Sequence, residues 1–140
     1  MDIRISERAP SPTAVVAGPF DLSRFMPSLD AVYAFLAGRP DIEQTGHNIA
    51  LYDRGQRMEV GVEVAGPFES DGPVIASELP GGHVAHATHT TGYESLSMTY
   101  NAIADWCADH DLHPVGVQWE VYGDPDGDDH VDVEICFLLA

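Results

Sequence analysis

Apolar and polar positions along this chain follow two periods, and the switches between them outline its elements. Ile3 and Ile5 alternate with Arg4 and Ser6, the two-residue period of a short strand. Pro10 and Pro12 punctuate the residues after it, and the β-branched run over residues 13–17, ended by Gly18-Pro19, predicts a second strand. From Leu22 the spacing changes: Phe25, Met26, Leu29, Val32, Tyr33 and Leu36 recur as on one face of an amphipathic helix, with Gly38 and Pro40 as stops. Pro27 interrupts that stripe and puts the start of the regular helix close to itself, since proline is tolerated in a first turn. Residues 46–52 and 58–65 then read as two strands of a hairpin turning at Asp53-Arg54-Gly55-Gln56-Arg57.

The order recurs in the second half. Gly81-Gly82 leads into a strand over residues 83–89, and Thr91 and Glu94 have the spacing of a capping box. Leu96, Tyr100, Ile103 and Cys107 mark the buried stripe of a second helix. Residues 115–122 and 131–138 predict a closing hairpin joined by Gly123-Asp124-Pro125-Asp126-Gly127-Asp128-Asp129. Gly46-His47-Asn48-Ile49-Ala50-Leu51-Tyr52 lies 70 positions before Gly116-Val117-Gln118-Trp119-Glu120-Val121-Tyr122, and Val60-Gly61-Val62-Glu63-Val64 parallels Val131-Asp132-Val133-Glu134-Ile135. The expected fold is α+β: duplicated strand–helix–strand–strand units with pseudo-twofold symmetry, forming an antiparallel sheet packed by two main helices. The repeats cover roughly residues 1–66 and 80–140 of one domain, with residues 67–80 as connector. A groove between such halves is a natural ligand site.

Composition narrows the class. With 140 residues, 44% hydrophobic and 21% charged, the chain has ordinary globular content and the length of one domain. Its longest apolar runs are a few residues and its start, Met1-Asp2-Ile3-Arg4, lacks the basic-then-apolar pattern of a signal peptide, so no membrane association is expected. Only Cys107 and Cys136 are present, too few for a disulfide framework, and a reducing cytoplasmic setting is the expectation. Six basic residues, all arginines scattered through the first 57 positions, stand against 23 acidic ones, a net charge of −17. Such a chain repels phosphate backbones, so direct nucleic-acid binding is not expected. The charge reads either as an acidic surface from a salt-rich or GC-rich source or as an attraction for cationic ligands or partners.

Strand alternation then sorts residues onto faces. Val115, Val117, Trp119 and Val121, with Ile49, Leu51, Val60, Val62, Val64, Val133, Ile135 and Phe137, form apolar faces expected to pack beneath the helices. The opposite faces gather Tyr52, Glu63, Glu120, Tyr122 and Glu134. A wetted sheet face accounts for Glu63 and Glu134. Glu120, in mid-strand beside Trp119 and before Tyr122, suits two roles: counter-charge to an organic cation held by cation–π contact, or a general acid or base.

Leu79-Pro80-Gly81-Gly82-His83-Val84-Ala85, His89-Thr90-Thr91-Gly92-Tyr93-Glu94-Ser95-Leu96 and Trp119-Glu120-Val121-Tyr122-Gly123-Asp124-Pro125 together resemble the GyrI-like effector-binding domain, and Tyr52-Asp53 with residues 60–64 resembles its first-half hairpin. The resemblance runs over the whole chain and rests on the order and spacing of these pieces rather than on any one of them. It implies a central cavity for small aromatic or cationic molecules, with the pocket glutamate at Glu120 and pocket tyrosines at Tyr93 and Tyr122. Tyr52 enters only through the internal repeat. Domains of this family occur fused to AraC-type or MerR-type DNA-binding domains and also alone, and this chain is expected to be a stand-alone member acting, if it regulates, through a protein partner or homodimer. Some stand-alone members hydrolyse strained cyclopropane-type electrophiles, which makes Glu120 and Tyr122 the catalytic pair of an alternative reading. A gyrase-inhibitor-like interaction protein is a further one, and haem-binding proteins share a related fold.

No metal or other cofactor is expected. His86 faces opposite to His83 and His89 on a strand, and no C-x-x-C or H-E-x-x-H accompanies them. Counted as a calcium loop from Asp124, the glycine and final glutamate positions hold Asp129 and Ile135. Ser95 and Ser97 lack a G-x-S-x-G turn, Gly81-Gly82 lacks a phosphate-loop lysine, and Cys107 and Trp106 belong with the second helix's packing.

Overall fold

A computed structural model describes residues 2–70, 72–124 and 131–140. The described chain runs β1 (Arg4–Arg8), β2 (Ser11–Pro19), α1 (Phe25–Ala37), β3 (Gln44–Asp53), β4 (Arg57–Val64), β5 (Val74–Leu79), β6 (Gly82–His89), α2 (Leu96–Asp109), β7 (Pro114–Tyr122) and β8 (Val133–Leu139). Each helix is preceded by one tight 3-10 turn, Leu22–Arg24 and Tyr93–Ser95. Pro27 sits in the first turn of α1, as its missing amide requires. The Asp21 carboxylate caps the preceding turn by accepting from the Ser23 amide at 3.0 Å. The equivalent start before α2 uses no capping box. Gly92 stands at the cap with φ 99°, a left-handed value that favours glycine, and the Thr91 hydroxyl bonds Ser95 at 2.9 Å instead. Segment 67–80 is more than a connector, because it contains β5.

The eight strands form one antiparallel sheet in the order β1-β6-β8-β7-β3-β4-β2-β5. The order is symmetric about the β7–β3 pair, where Ala50 lies opposite Glu120. Equivalent positions are 71 apart through β2 and the helices, as in Ala14 and Ala85 or Ser28 and Thr99, and 70 apart in the central pair. In the outer hairpin strand the separation is 75, because Val60 opposite Ala50 matches Ile135 opposite Glu120. Residues 60–64 therefore correspond to 135–139 rather than 131–135. The second hairpin's longer connection absorbs the difference, and most of its turn motif lies outside the described residues.

β1 and β2 stand near opposite ends of the sheet although two residues join them, and β5 and β6 do the same. The registers explain how. Arg8 pairs Gly82 and, three residues on, Ser11 pairs Leu79, so β1–β2 and β5–β6 make one long antiparallel ribbon whose waist crosses behind the sheet. At that waist the Gly81 backbone passes so close to Pro10 that a Cβ would stand 2.6 Å from its ring. The ribbon covers an apolar cluster of Val15, Ile49, Leu51, Leu79, Val84, Trp119 and Cys136.

On the other face α1 packs over β2 and β4, and α2 over β6 and β8. Among the described residues neither helix packs closely over β3 and β7. The apolar residues of β4 and β8 lie beneath the helices as alternation predicts. Those of β3 and β7 do not: Ile49, Leu51 and Trp119 go to the ribbon side. Directly paired residues share a face, so Ala50 opposite Val60 and Glu120 opposite Ile135 bring Tyr52, Glu120 and Tyr122 to the helix side. Glu63 and Glu134, offset by one residue, fall on the ribbon side, away from Glu120.

There the Arg8 guanidinium holds both Glu134 oxygens, at 3.0 and 3.1 Å, and ties edge strand β1 to β8. Burial alone would raise the Glu134 carboxyl, but hydrogen bonds and charge from Arg8 outweigh it and hold the group below its ordinary 4.5. A carboxyl that is a stronger acid when folded stabilises fully above about pH 4.5, and that contribution is lost as the pH falls through the lower folded value. Arg8→Met is therefore expected to lower stability at neutral pH and to flatten the acid limb of the stability–pH profile, read by urea unfolding. An acid limb as steep as that of the wild type would contradict the pairing.

Candidate functional site

With neither described helix packed closely over β3 and β7, the gap between α1 and α2 is a groove of about 1030 Å³ whose floor is the central strand pair. Phe20, Leu22, Phe25, Met26 and Leu29 form the α1 wall, and Tyr93, Leu96 and Tyr100 the α2 wall. Tyr52, Gln118, Glu120 and Tyr122 come from the floor. Several of these apolar side chains are exposed, Leu22 by 63%, Met26 by 58% and Tyr93 by 54%, which is unusual for a residue set facing one cavity.

Glu120 is the chemical centre. It is only 5% exposed, yet it borders the groove. The Tyr100 hydroxyl donates to its Oε2 at 2.5 Å, and the Tyr122 hydroxyl donates to its Oε1. Among the described residues no arginine or histidine forms an ion pair with it. Burial, and then the charge of Glu120, push the hydroxyls of Tyr52, Tyr100 and Tyr122 far above the usual tyrosine range. These phenols therefore stay protonated, and those of Tyr100 and Tyr122 donate to the two oxygens of Glu120. Tyr122 also makes edge contacts with Phe25 at 5.5 Å and Tyr93 at 6.5 Å, while Tyr52 stacks at a tilt on Phe20 at 5.5 Å. A carboxylate inside an aromatic ring set offers an organic cation both a counter-charge and π faces.

All four residues singled out from the sequence, Tyr52, Tyr93, Glu120 and Tyr122, border this groove. Tyr93 is the outermost, carried by the tight turn ahead of α2. Buried His89 pins that turn, its ring bonding the Gly92 carbonyl at 2.5 Å and the Thr99 hydroxyl at 2.7 Å. It is thus neither a surface histidine nor one lining the groove, and His86 sits on the other face against Ser6 and Glu134.

The sequence pattern places Tyr100 in the packing stripe of the second helix and does not name Glu120 as its partner. A hydroxyl on an otherwise apolar stripe needs a partner, and that is the one signal available. Tyr100→Phe should cost about 1.5–3 kcal/mol of stability, the usual worth of a hydrogen bond to a charged group. Tyr93→Phe should stay within about 0.5 kcal/mol of the wild type, as an exposed substitution. Urea unfolding of both variants separates them, and equal losses would contradict the bond's importance.

The chain matches the family described as the GyrI-like small molecule binding domain over residues 52–140. It belongs to that family. The solved C-terminal domain of EcmrR resembles it with a TM-score of 0.86 at 16% identity, over 99% of this chain and 97% of that one. SAV2435, solved bound to tetraphenylphosphonium, gives 0.69 at 11% identity over 100% and 94% of the two chains. A hydrolase from Listeria innocua gives 0.70 at 8% identity, over 99% and 91%. No curated protein matches by sequence. At these identities the structural likenesses establish the fold, and the family membership establishes a small-molecule-binding domain. Among the described residues no helix is long and apolar enough to cross a membrane.

Proposed function

We propose that this GyrI-like domain binds lipophilic small molecules that are cationic or aromatic, with Glu120 as counter-charge and Tyr52, Tyr93, Tyr100 and Tyr122 as the aromatic lining around it. The observation that carries the reading is the state of Glu120: a buried carboxylate bordering a large groove, bonded to phenols and paired with no described cation. Apart from the tyrosine hydroxyls, Glu120, Asn48, Gln118 and Arg54, the groove is lined by apolar side chains and glycine. It therefore rewards shape and charge more than a pattern of hydrogen bonds, which suits a binder of varied ligands. The tetraphenylphosphonium bound by SAV2435 is a compound of this class and supports the choice of probe.

A second reading has one feature in its favour: a carboxylate and two protonated phenols stand within one cluster. In it Glu120 would take a proton from water attacking a strained or electrophilic carbon, while a phenol hands its own to the departing atom.

A thermal-shift screen with tetraphenylphosphonium, neutral polycyclic aromatics and tetraphenylborate tests the first reading. A ligand at a hundred times its dissociation constant stabilises by about 2.7 kcal/mol. Tetraphenylphosphonium is expected to raise the melting temperature and tetraphenylborate is not. Equal shifts by both ions would contradict the counter-charge. Recovery of any stabilising compound chemically altered would favour hydrolysis over binding.

A further inference from the structure

The groove's walls come from equivalent positions of the two halves, but their chemistry is unequal. Where the α2 half presents Tyr93, Tyr100 and Glu120, the equivalent positions of the α1 half hold Leu22, Leu29 and Ala50. The hydrogen bond between Tyr100 and Glu120 thus has as its counterpart a leucine above an alanine. Met26, 58% exposed where the α2 half has Ser97, extends the apolar wall with Leu22 at its outer end. Near symmetry of the backbone therefore encloses a site with two unlike ends.

Resting on the reading of Glu120 as a counter-charge, we propose that the groove binds amphiphilic monocations in one orientation, the cationic head at Glu120 beside α2 and the apolar tail along Leu22 and Met26 of the α1 wall. Charge and apolar surface fix the polarity together. A tail directed at α2 would lie against phenol hydroxyls, and a head directed at the α1 wall would leave the Tyr100-bonded side of Glu120 for the apolar Leu22 and Leu29. Among the described residues that line the groove Glu120 is the one carboxylate, so a second charge at the tail end gains no counter-charge from the groove itself. Each methylene fully withdrawn from water strengthens binding by about fourfold, so affinity should climb with tail length until the tail passes Leu22.

Calorimetric titration of the alkyltrimethylammonium series from tetramethyl to decyl, below micelle-forming concentrations, tests this. In the wild type affinity should rise by about two- to fourfold per methylene. The Leu22→Ser/Met26→Ser double variant, changed at exposed positions, should lose most of that slope. Tyr93→Ser on the opposite wall should weaken the series while keeping the slope. Decamethonium, which carries a second head at the tail end, should bind more weakly than decyltrimethylammonium. A slope absent from the wild type, or intact in the double variant, overturns the orientation while Glu120-dependent binding of short cations still stands. If no member binds, or Glu120→Gln binds them all as well as the wild type, the counter-charge reading falls and the orientation with it.

Discussion

Gly61→Ala should be among the most destabilising single-methyl changes in this protein, costing about 3 kcal/mol or more, as severe overpacking does. Gly61 lies in the middle of β4 opposite Val15 of β2. A Cβ there would stand 1.8 Å from the Ala14 carbonyl oxygen and 2.8 Å from its carbon. Both are backbone atoms of a strand that pairs on its two sides, with β4 and β5, so no rotamer change relieves the contact. The equivalent position in the other half is Cys136, which carries a side chain without difficulty, so the close approach belongs to one half only. Thermal unfolding should fall by roughly 10 °C for a domain of this length. A drop of a degree or two would mean that β2 and β4 yield more easily than their pairing implies.

Replacing Glu120 has the largest expected effect on binding. Glu120→Gln keeps the size of the side chain, removes its charge and turns one acceptor oxygen into a donor that faces a phenol hydroxyl. Truncating one member of a buried charge pair usually costs about 2–5 kcal/mol, so affinity for an onium cation should fall by about a hundredfold. Stability should fall by about 1–3 kcal/mol as well, since a buried phenol is left without an acceptor. Isothermal titration at a temperature where the variant is fully folded keeps the two effects apart. A loss of less than about threefold in cation affinity would show that the aromatic walls, not the charge, hold such ligands.

How much of the fold and the site is legible in the sequence depends on which physical rule each feature obeys. The helices are legible because local periodicity, with Pro27 and Gly38 as punctuation, determines them. The central strands are legible as strands, but their faces are not. Alternation says that Trp119 and Glu120 point opposite ways, while only the register with β4 and β8 says which way is up. The ribbon waist that buries Ile49, Leu51 and Trp119 is a product of long-range pairing between residues about 70 apart, and β5 within it is hidden in a stretch rich in proline, glycine and serine. Glu120 and its neighbour Tyr122 are legible because a mid-strand carboxylate among aromatics is chemically conspicuous. Tyr100 is not, because a tyrosine on a helix stripe looks the same whether its hydroxyl meets solvent or a buried carboxylate.

One buried carboxylate, on this reading, selects charge in an otherwise apolar groove. Benzyltrimethylammonium and neopentylbenzene share a shape and differ only by a nitrogen cation in place of a carbon, so their affinities for the wild type and for Glu120→Gln isolate that selection. The substitution is expected to weaken the cation by about a hundredfold, from loss of its buried counter-charge, and to leave the hydrocarbon nearly as tightly bound as before. Parallel losses for the two compounds, or none for the cation, would contradict the selection of charge by Glu120.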